Sequence, residues 1–134
     1  MAKTLDFLAV FLAAIFFLLL AVGAILGLLD PYKASAGYGI SVSDASGALF
    51  YRVFASRNLV IVAAGFIYLF MRLWKPLAIL VSLTLMLAFF DITILKNAGV
   101  AVPALHPIAV VLIIVTAALL WRRTSAATIH SSAH

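Results

Sequence analysis

The sequence predicts an all-α fold, a polytopic membrane four-helix bundle, from two observations. Hydrophobic residues make up 67% of the 134 residues and charged residues only 10%, whereas a soluble domain is about half apolar and about a quarter charged. The apolar residues also fall into four runs, and the first, of about 23 residues, exceeds the roughly 20 that a membrane-spanning helix needs. We therefore predict a four-span transmembrane domain over residues 1–123 and a polar tail over residues 124–134.

The composition excludes several classes of function. The chain has no cysteine, which excludes disulfides and thiolate metal sites, and it has no glutamate. Its net charge of +5 does not indicate a nucleic-acid partner, because the basic residues are scattered at the ends of the apolar runs, as topology signals are. We expect no metal site and no nucleic-acid partner. No motif in the sequence identifies a cofactor.

The first span is predicted over Phe7–Leu29, and we expect it to be retained, because it exceeds the roughly 7–15 residues of a signal-peptide core. Gly23 and Gly27 form a G-x-x-x-G face that favours close packing of a neighbouring helix. Asp30-Pro31 ends this span, since proline disfavours helical geometry in the residue before it. Tyr32–Val42, with its glycines and serines, is predicted to be an ordered loop.

The other three spans follow from the same reasoning. A helix from Ala45 to about Leu73, capped by Ser43 or Asp44, is either one long tilted helix or an interfacial segment over residues 45–57 followed by a span. The third span is predicted over Leu77–Leu95. The fourth begins at Pro107 and runs to Trp121.

An even number of spans places both termini on one side of the membrane. That side carries five basic residues and one acid, whereas the other carries four basic residues and three acids. Positively charged residues favour the cytoplasmic side. The sequence therefore predicts a multi-pass protein of the cell membrane with both termini in the cytoplasm.

Arg57 and Asp91 are charged residues that lie within an apolar run or at its edge. A charged side chain within a span costs roughly 2.5–3.5 kcal/mol on insertion scales and needs a partner. Each of the two lies about 17 residues from Trp74, so roughly 25 Å along its helix at 1.5 Å per residue. Neighbouring antiparallel helices would hold them at one depth, and we expect them to pair.

Three interpretations of this pair are open. In the first, Arg57, Asn58 and Asp91 form a polar pocket for a ligand, with Arg57 binding an oxygen through its planar guanidinium. In the second, the pair only fixes the second span against the third. In the third, both side chains extend to the water interface.

Further residues complete the predicted ligand site. Tyr51 lies six residues before Arg57, and His106 lies in a loop between two prolines on the same side as Asp91. Asp91 and His106 are the candidate catalytic residues, because both can move a proton. The aromatic residues of that half of the protein would line a pocket for a flat hydrophobic molecule or form an interface belt: Tyr38, Phe50, Tyr51, Phe54, Phe89 and Phe90.

Pro31, the stretch Gly37-Tyr38-Gly39-Ile40, the stretch Tyr51–Leu59 and Asp91 resemble the small four-helix membrane proteins of the DoxX-like group, closest to a branch formed by a domain of unknown function. That branch carries an Arg-Asp pair at the second helix and an Asp in the third. Arg57 and Asp91 match these positions, and Asn58 replaces the acid, which weakens a mechanism with two carboxylates. The resemblance implies a four-helix bundle in the cytoplasmic membrane, and some relatives are linked to quinol oxidation or redox stress.

Three functions remain open on the sequence alone. The first is a binding module whose pocket holds a lipophilic small molecule with one polar group. The second is an intramembrane enzyme, namely an isomerase, a cyclase or a component of a quinone-linked oxidoreductase. The third is a structural membrane subunit. The expected partners are the lipid bilayer, the lipophilic ligand, and another copy of the chain or a different subunit.

Overall fold

The computed structural model describes residues 2–131, with the side chains of residues 3–125, and this part of the chain consists of five helices and their connections. Four of the helices are long and apolar enough to cross a membrane, which confirms the predicted all-α membrane bundle. The helices are α1 (Ala2–Leu29), α2 (Pro31–Tyr38), α3 (Ala45–Phe70), α4 (Trp74–Asn97) and α5 (Leu105–Ser131).

The four long helices form a closed ring in the order α1, α3, α4, α5. The pairs α1–α3 and α4–α5 pack most extensively, α1–α5 packs less, and α3–α4 packs least although a tight turn joins them. The core is filled by large buried side chains, among them Phe17, Leu77, Val81 and Leu120. The short helix α2 packs on α1 and α3 and marks one end of the bundle, called here the α2 end. The opposite end, with the turn between α3 and α4, is called the turn end.

Small residues allow α1 and α3 to approach closely. The side of α3 that is buried repeats every seven residues at Ala48, Ala55, Val62 and Leu69. A methyl group at Gly27 would lie 2.9 Å from Cβ of Ala55, so this glycine serves internal packing, as the G-x-x-x-G spacing predicts. Gly23, in contrast, has no neighbour within 4 Å of that position and takes no part in the contact.

The segment after α1 is a helix rather than the predicted loop. Asp30 does end α1, but its carboxylate also accepts a hydrogen bond from the N–H of Lys33 (3.1 Å) and caps α2. Pro31 then occupies the first helical turn, where its missing N–H costs nothing. Gly39 ends α2 in the left-handed region at φ 108°, which a glycine adopts without steric cost.

The connection from α2 to α3 is tied down by Ser35. Its side chain is fully buried, donates a hydrogen bond to the carbonyl of Tyr32 (3.0 Å) and accepts one from the N–H of Val42 (3.1 Å). Asp44 then caps α3 by accepting a hydrogen bond from the N–H of Gly47 (2.8 Å), as predicted. From there α3 is one continuous helix, which favours the long-helix alternative for residues 45–57.

Two further boundaries differ from the prediction. The helix α5 begins at Leu105, two residues before Pro107, because a proline is tolerated within a first helical turn. Residues 124–131 of the predicted tail continue α5, and residues 132–134 lie outside the described residues. At the other boundary of this connection, α4 ends at Asn97, and Gly99 follows with a positive φ of 70°.

Candidate functional site

The predicted ion pair between Arg57 and Asp91 does not form. Within the described residues the one salt bridge joins Asp6 to Arg122 at the turn end. The side chain of Arg57 is exposed and makes no hydrogen bond in the part of the chain that the structure describes. The prediction of a buried Arg57–Asp91 pair is therefore wrong.

The reason is the direction in which each side chain leaves its helix. Arg57 follows the buried Ala55 by two residues, which turns it about 200° away from the packed side of α3. Asp91 follows the buried Ala88 by three residues and is half-buried. Arg57 also lies roughly 22 Å along α3 from Arg72, so its long side chain can reach the water interface at the α2 end, as in the third interpretation.

Asn58 and Tyr51 sit near Arg57 on α3 but differ in their surroundings. Asn58 is half-buried and makes no hydrogen bond among the described residues. The Tyr51 ring lies 5.6 Å from that of Phe54, measured between centroids, and packs against Gly27. Tyr51 thus belongs to an aromatic group inside the α2 end.

Asp91 has a partner that the sequence did not identify, namely Tyr38. The Tyr38 hydroxyl lies close enough to the Asp91 carboxylate for a hydrogen-bonding and a charge interaction. Burial of the phenol raises the pKa of Tyr38 well above its usual range, and the nearby Asp91 raises it further. The phenol of Tyr38 therefore keeps its proton to a higher pH than a solvated tyrosine does.

His106 is buried rather than placed in a solvated loop. It is the second residue of α5, only 7% of its surface is exposed, and neither ring nitrogen has a hydrogen-bond partner. The ring meets Tyr38 edge to face, with 4.9 Å between centroids and 70° between planes. A buried polar atom without a partner costs roughly 1–3 kcal/mol, so these two nitrogens are candidates for a hydrogen bond to a ligand or to a water molecule.

The end of α2 and the connection before α5 bring these residues together. A methyl group on Gly39 would lie 3.0 Å from Cγ of Pro103, so a larger residue would separate the two segments. This contact seats Tyr38 between Phe54, at 5.6 Å, and His106. We name the resulting group the Tyr38 cluster, which consists of Tyr38, Tyr51, Phe54, Asp91 and His106.

The Tyr38 cluster combines a phenol, a carboxylate and an imidazole within an aromatic surrounding. These groups can donate and accept hydrogen bonds and exchange protons. No group of three metal-ligating side chains occurs among the described residues. Of the remaining predicted aromatic residues, Phe50, Phe89 and Phe90 are exposed on the outside of the bundle, as expected of residues that face lipid.

Two grooves on the described part of the bundle are lined by no residue of the Tyr38 cluster. One, of about 350 Å³, is an apolar depression between α3 and α4, lined by residues such as Ile61 and Leu83. Its position agrees with the sparse packing of that helix pair. The other, of about 630 Å³, lies at the turn end and includes Trp74 and Arg123.

Residues 17–120 match the family described as domain of unknown function DUF4267. The chain belongs to this family. The matched range contains the whole Tyr38 cluster and stops before Arg122 and Arg123. Neither the curated proteins nor the solved structures gave a significant match. The resemblance to the DoxX-like group stays a prediction.

Proposed function

We propose that this multi-pass membrane protein binds a lipophilic molecule with one polar group at the Tyr38 cluster. The observation that carries the proposal is the pair of buried, unpartnered ring nitrogens of His106. A hydroxyl or carbonyl of the ligand would supply one of the two hydrogen bonds that the protein leaves unmade. His106 is therefore the proposed anchor, in place of Arg57.

The surroundings of His106 suit such a ligand. Tyr38 and Phe54 present aromatic rings to its apolar part, and Asp91 orients the Tyr38 hydroxyl. Tyr51 extends the aromatic surface through Phe54. The exposed Arg57 and the half-buried Asn58 would act at the rim, where the ligand enters from the bilayer.

A second candidate function is catalysis on the same molecule. The cluster combines two groups that can exchange protons, Asp91 and His106, with the hydroxyl donor of Tyr38, which suits proton transfer in an isomerase or cyclase, or at a quinone in an oxidoreductase component. Asp91 or His106 would move the proton. A purely structural subunit is the remaining alternative, in which the cluster only holds α2, α3, α4 and α5 together.

The proposed location is the cytoplasmic membrane, with both termini in the cytoplasm and with the DoxX-like group as the wider relationship. The distribution of charge supports this orientation. The turn end carries Lys3, Arg72, Lys75, Arg122 and Arg123 against a single acid, Asp6. Such an excess of basic residues favours the cytoplasmic side.

Native mass spectrometry of gently purified protein, followed by extraction of bound molecules, tests the binding function. We expect a stoichiometric non-lipid molecule in the wild type and its loss in His106→Phe, which keeps a ring against Tyr38 but removes both nitrogens. Phe89→Leu is the matched control, since this ring is exposed at the same end and its loss leaves the cluster intact.

The alternatives give different results. A structural role predicts that only phospholipid co-purifies and that His106→Phe melts at a higher temperature, because two unpartnered nitrogens are removed. Catalysis predicts that Asp91→Asn retains the extracted molecule but no longer converts it.

A further inference from the structure

The groove at the turn end has apolar walls, which are formed by α1 and by the last turn of α3. Val10 and Ala14 of α1 form one wall, and Leu69 and Phe70 of α3 form the other. Its volume is about 630 Å³. Neither wall contributes a hydrogen-bonding side chain, so the groove suits a hydrocarbon chain.

The mouth of the groove carries two basic side chains, Arg72 and Arg123, beside Trp74. The Arg123 guanidinium stacks on the Trp74 ring, with 3.7 Å between Cζ and the ring centroid. Stacking of this kind fixes the position of the cation without neutralising its charge. A tryptophan at this depth is also typical of the membrane–water boundary.

No acid neutralises these two cations in the described part of the chain. The Asp6 carboxylate is engaged by Arg122, with 2.7 Å between oxygen and Nη2. Arg123 donates only to the main-chain carbonyl of Asp6, at 3.0 Å, which carries no net charge. The side chain of Arg72 makes no hydrogen bond or ion pair with the described residues.

The backbone around the turn holds Arg72 in place. Arg72 adopts a positive φ of 57°, and the N–H of Leu73 donates to the carbonyl of Tyr68 (2.8 Å), which closes the end of α3. The helix α4 starts directly afterwards with no side-chain cap. Its N-terminus adds a partial positive charge to that of Arg72.

We propose that this groove binds an anionic phospholipid. The phosphate lies between Arg72 and Arg123, and one acyl chain lies along the walls formed by α1 and α3. The charge at the mouth selects the occupant, since the ammonium group of a zwitterionic lipid would be a third cation beside the two guanidinium groups. Basic pockets between spans recognise anionic headgroups in this way. The site is at the opposite end of the bundle from the Tyr38 cluster and is independent of it.

Titration of delipidated protein with short-chain phosphatidylglycerol, with bound lipids counted by native mass spectrometry, tests this proposal. We expect one tight site in the wild type, and a roughly fivefold weaker site in Arg72→Gln or Arg123→Gln. Arg72→Lys keeps the charge and should bind within about twofold of the wild type. Circular dichroism of each variant verifies that the helices are intact.

Lys75→Gln is the matched control, because Lys75 carries the same charge at the same end but does not line the groove. An equal loss in Lys75→Gln would show diffuse surface attraction and overturn the proposal. So would equal affinity for phosphatidylcholine, which would show unselective lipid contact. Inorganic phosphate that binds as tightly as phosphatidylglycerol would overturn the assignment of a lipid.

Discussion

Gly65→Ala perturbs the contact that brings α1 and α3 together. The Phe17 ring, which is fully buried, covers Gly65, and an added methyl group would lie 2.5 Å from Cδ1 and closer still to Cε1 and Cζ. Carbon atoms in favourable contact are about 3.5–4.0 Å apart, so the ring would have to move by about 1 Å. Phe16 and Phe66 restrict this movement, because their ring centroids lie 5.0 and 6.0 Å from that of Phe17.

The expected loss follows from two opposing terms. Overfilling a packed core costs about 1–3 kcal/mol, and a ring enclosed by two others favours the upper half of that range. Replacing glycine by alanine in a helix returns about 1 kcal/mol. We therefore expect Gly65→Ala to lower the free energy of unfolding by about 1–2 kcal/mol.

Reversible unfolding in sodium dodecyl sulfate, followed by circular dichroism, measures this loss. Gly23→Ala is the matched control, because its methyl group meets no neighbour within 4 Å, and it should be neutral or stabilising. Phe17→Leu combined with Gly65→Ala should recover part of the loss, as expected for two residues in contact. Equal stability of Gly65→Ala and Gly23→Ala, or additive effects in the double variant, would refute the reasoning.

Three further perturbations test individual contacts. The pKa of Tyr38 is raised in the folded protein, which therefore holds the phenol proton more tightly than the unfolded chain does. The protonated phenol contributes its full stabilisation below the ordinary pKa of 10.0. This stabilisation is lost as the pH rises above that value. The melting temperature of the wild type should therefore fall more steeply above that pH than that of Tyr38→Phe, and parallel curves would contradict this. Asp6→Asn should lower the free energy of unfolding by less than about 1 kcal/mol, because both partners of the ion pair between Asp6 and Arg122 are 39% exposed. The difference in stability from the wild type should vanish in concentrated salt. A difference that persists in concentrated salt would argue against an ion-pair origin. Arg57→Gln should change the free energy of unfolding by less than about 0.5 kcal/mol in detergent. A loss of stability in Arg57→Gln that Asp91→Leu reverses would show that Arg57 and Asp91 do form an ion pair.

The spans were predictable because the bilayer imposes a length on every apolar run. The helix α2 was not, because Asp30-Pro31 carries two signals at once. Proline disfavours a helix before it, and an aspartate followed by proline is also a favourable helix start. Only the first signal was used in the prediction, although Gly39 offered a matching helix end.

Equal depth in the membrane is not sufficient to bring Arg57 and Asp91 into contact. Distance along two helices fixes the depth of a residue but not the direction of its side chain. In an apolar span hydrophobicity does not mark the inner face, because the lipid side is equally apolar. Small residues do mark it, and the spacing of Ala48 and Ala55 would have indicated that Arg57 points away from α1.

The position of His106 was misread for a related reason. Its two flanking prolines indicated a loop, yet Pro107 fits within the first turn of α5. The partnership of Tyr38 with Asp91 and His106 depends on the contact between Gly39 and Pro103, which joins segments more than 60 residues apart. No local pattern carries that information.

The state of the His106 ring nitrogens tests the central claim most directly. Protein labelled with ¹⁵N-histidine, with His130 and His134 replaced by alanine, reports the hydrogen bonding of this one ring by nuclear magnetic resonance. We expect hydrogen-bonded ring nitrogens in gently purified protein, a change in both signals after stripping, and their return when the extract is restored. Signals that neither stripping nor the extract alters would contradict a ligand at the Tyr38 cluster.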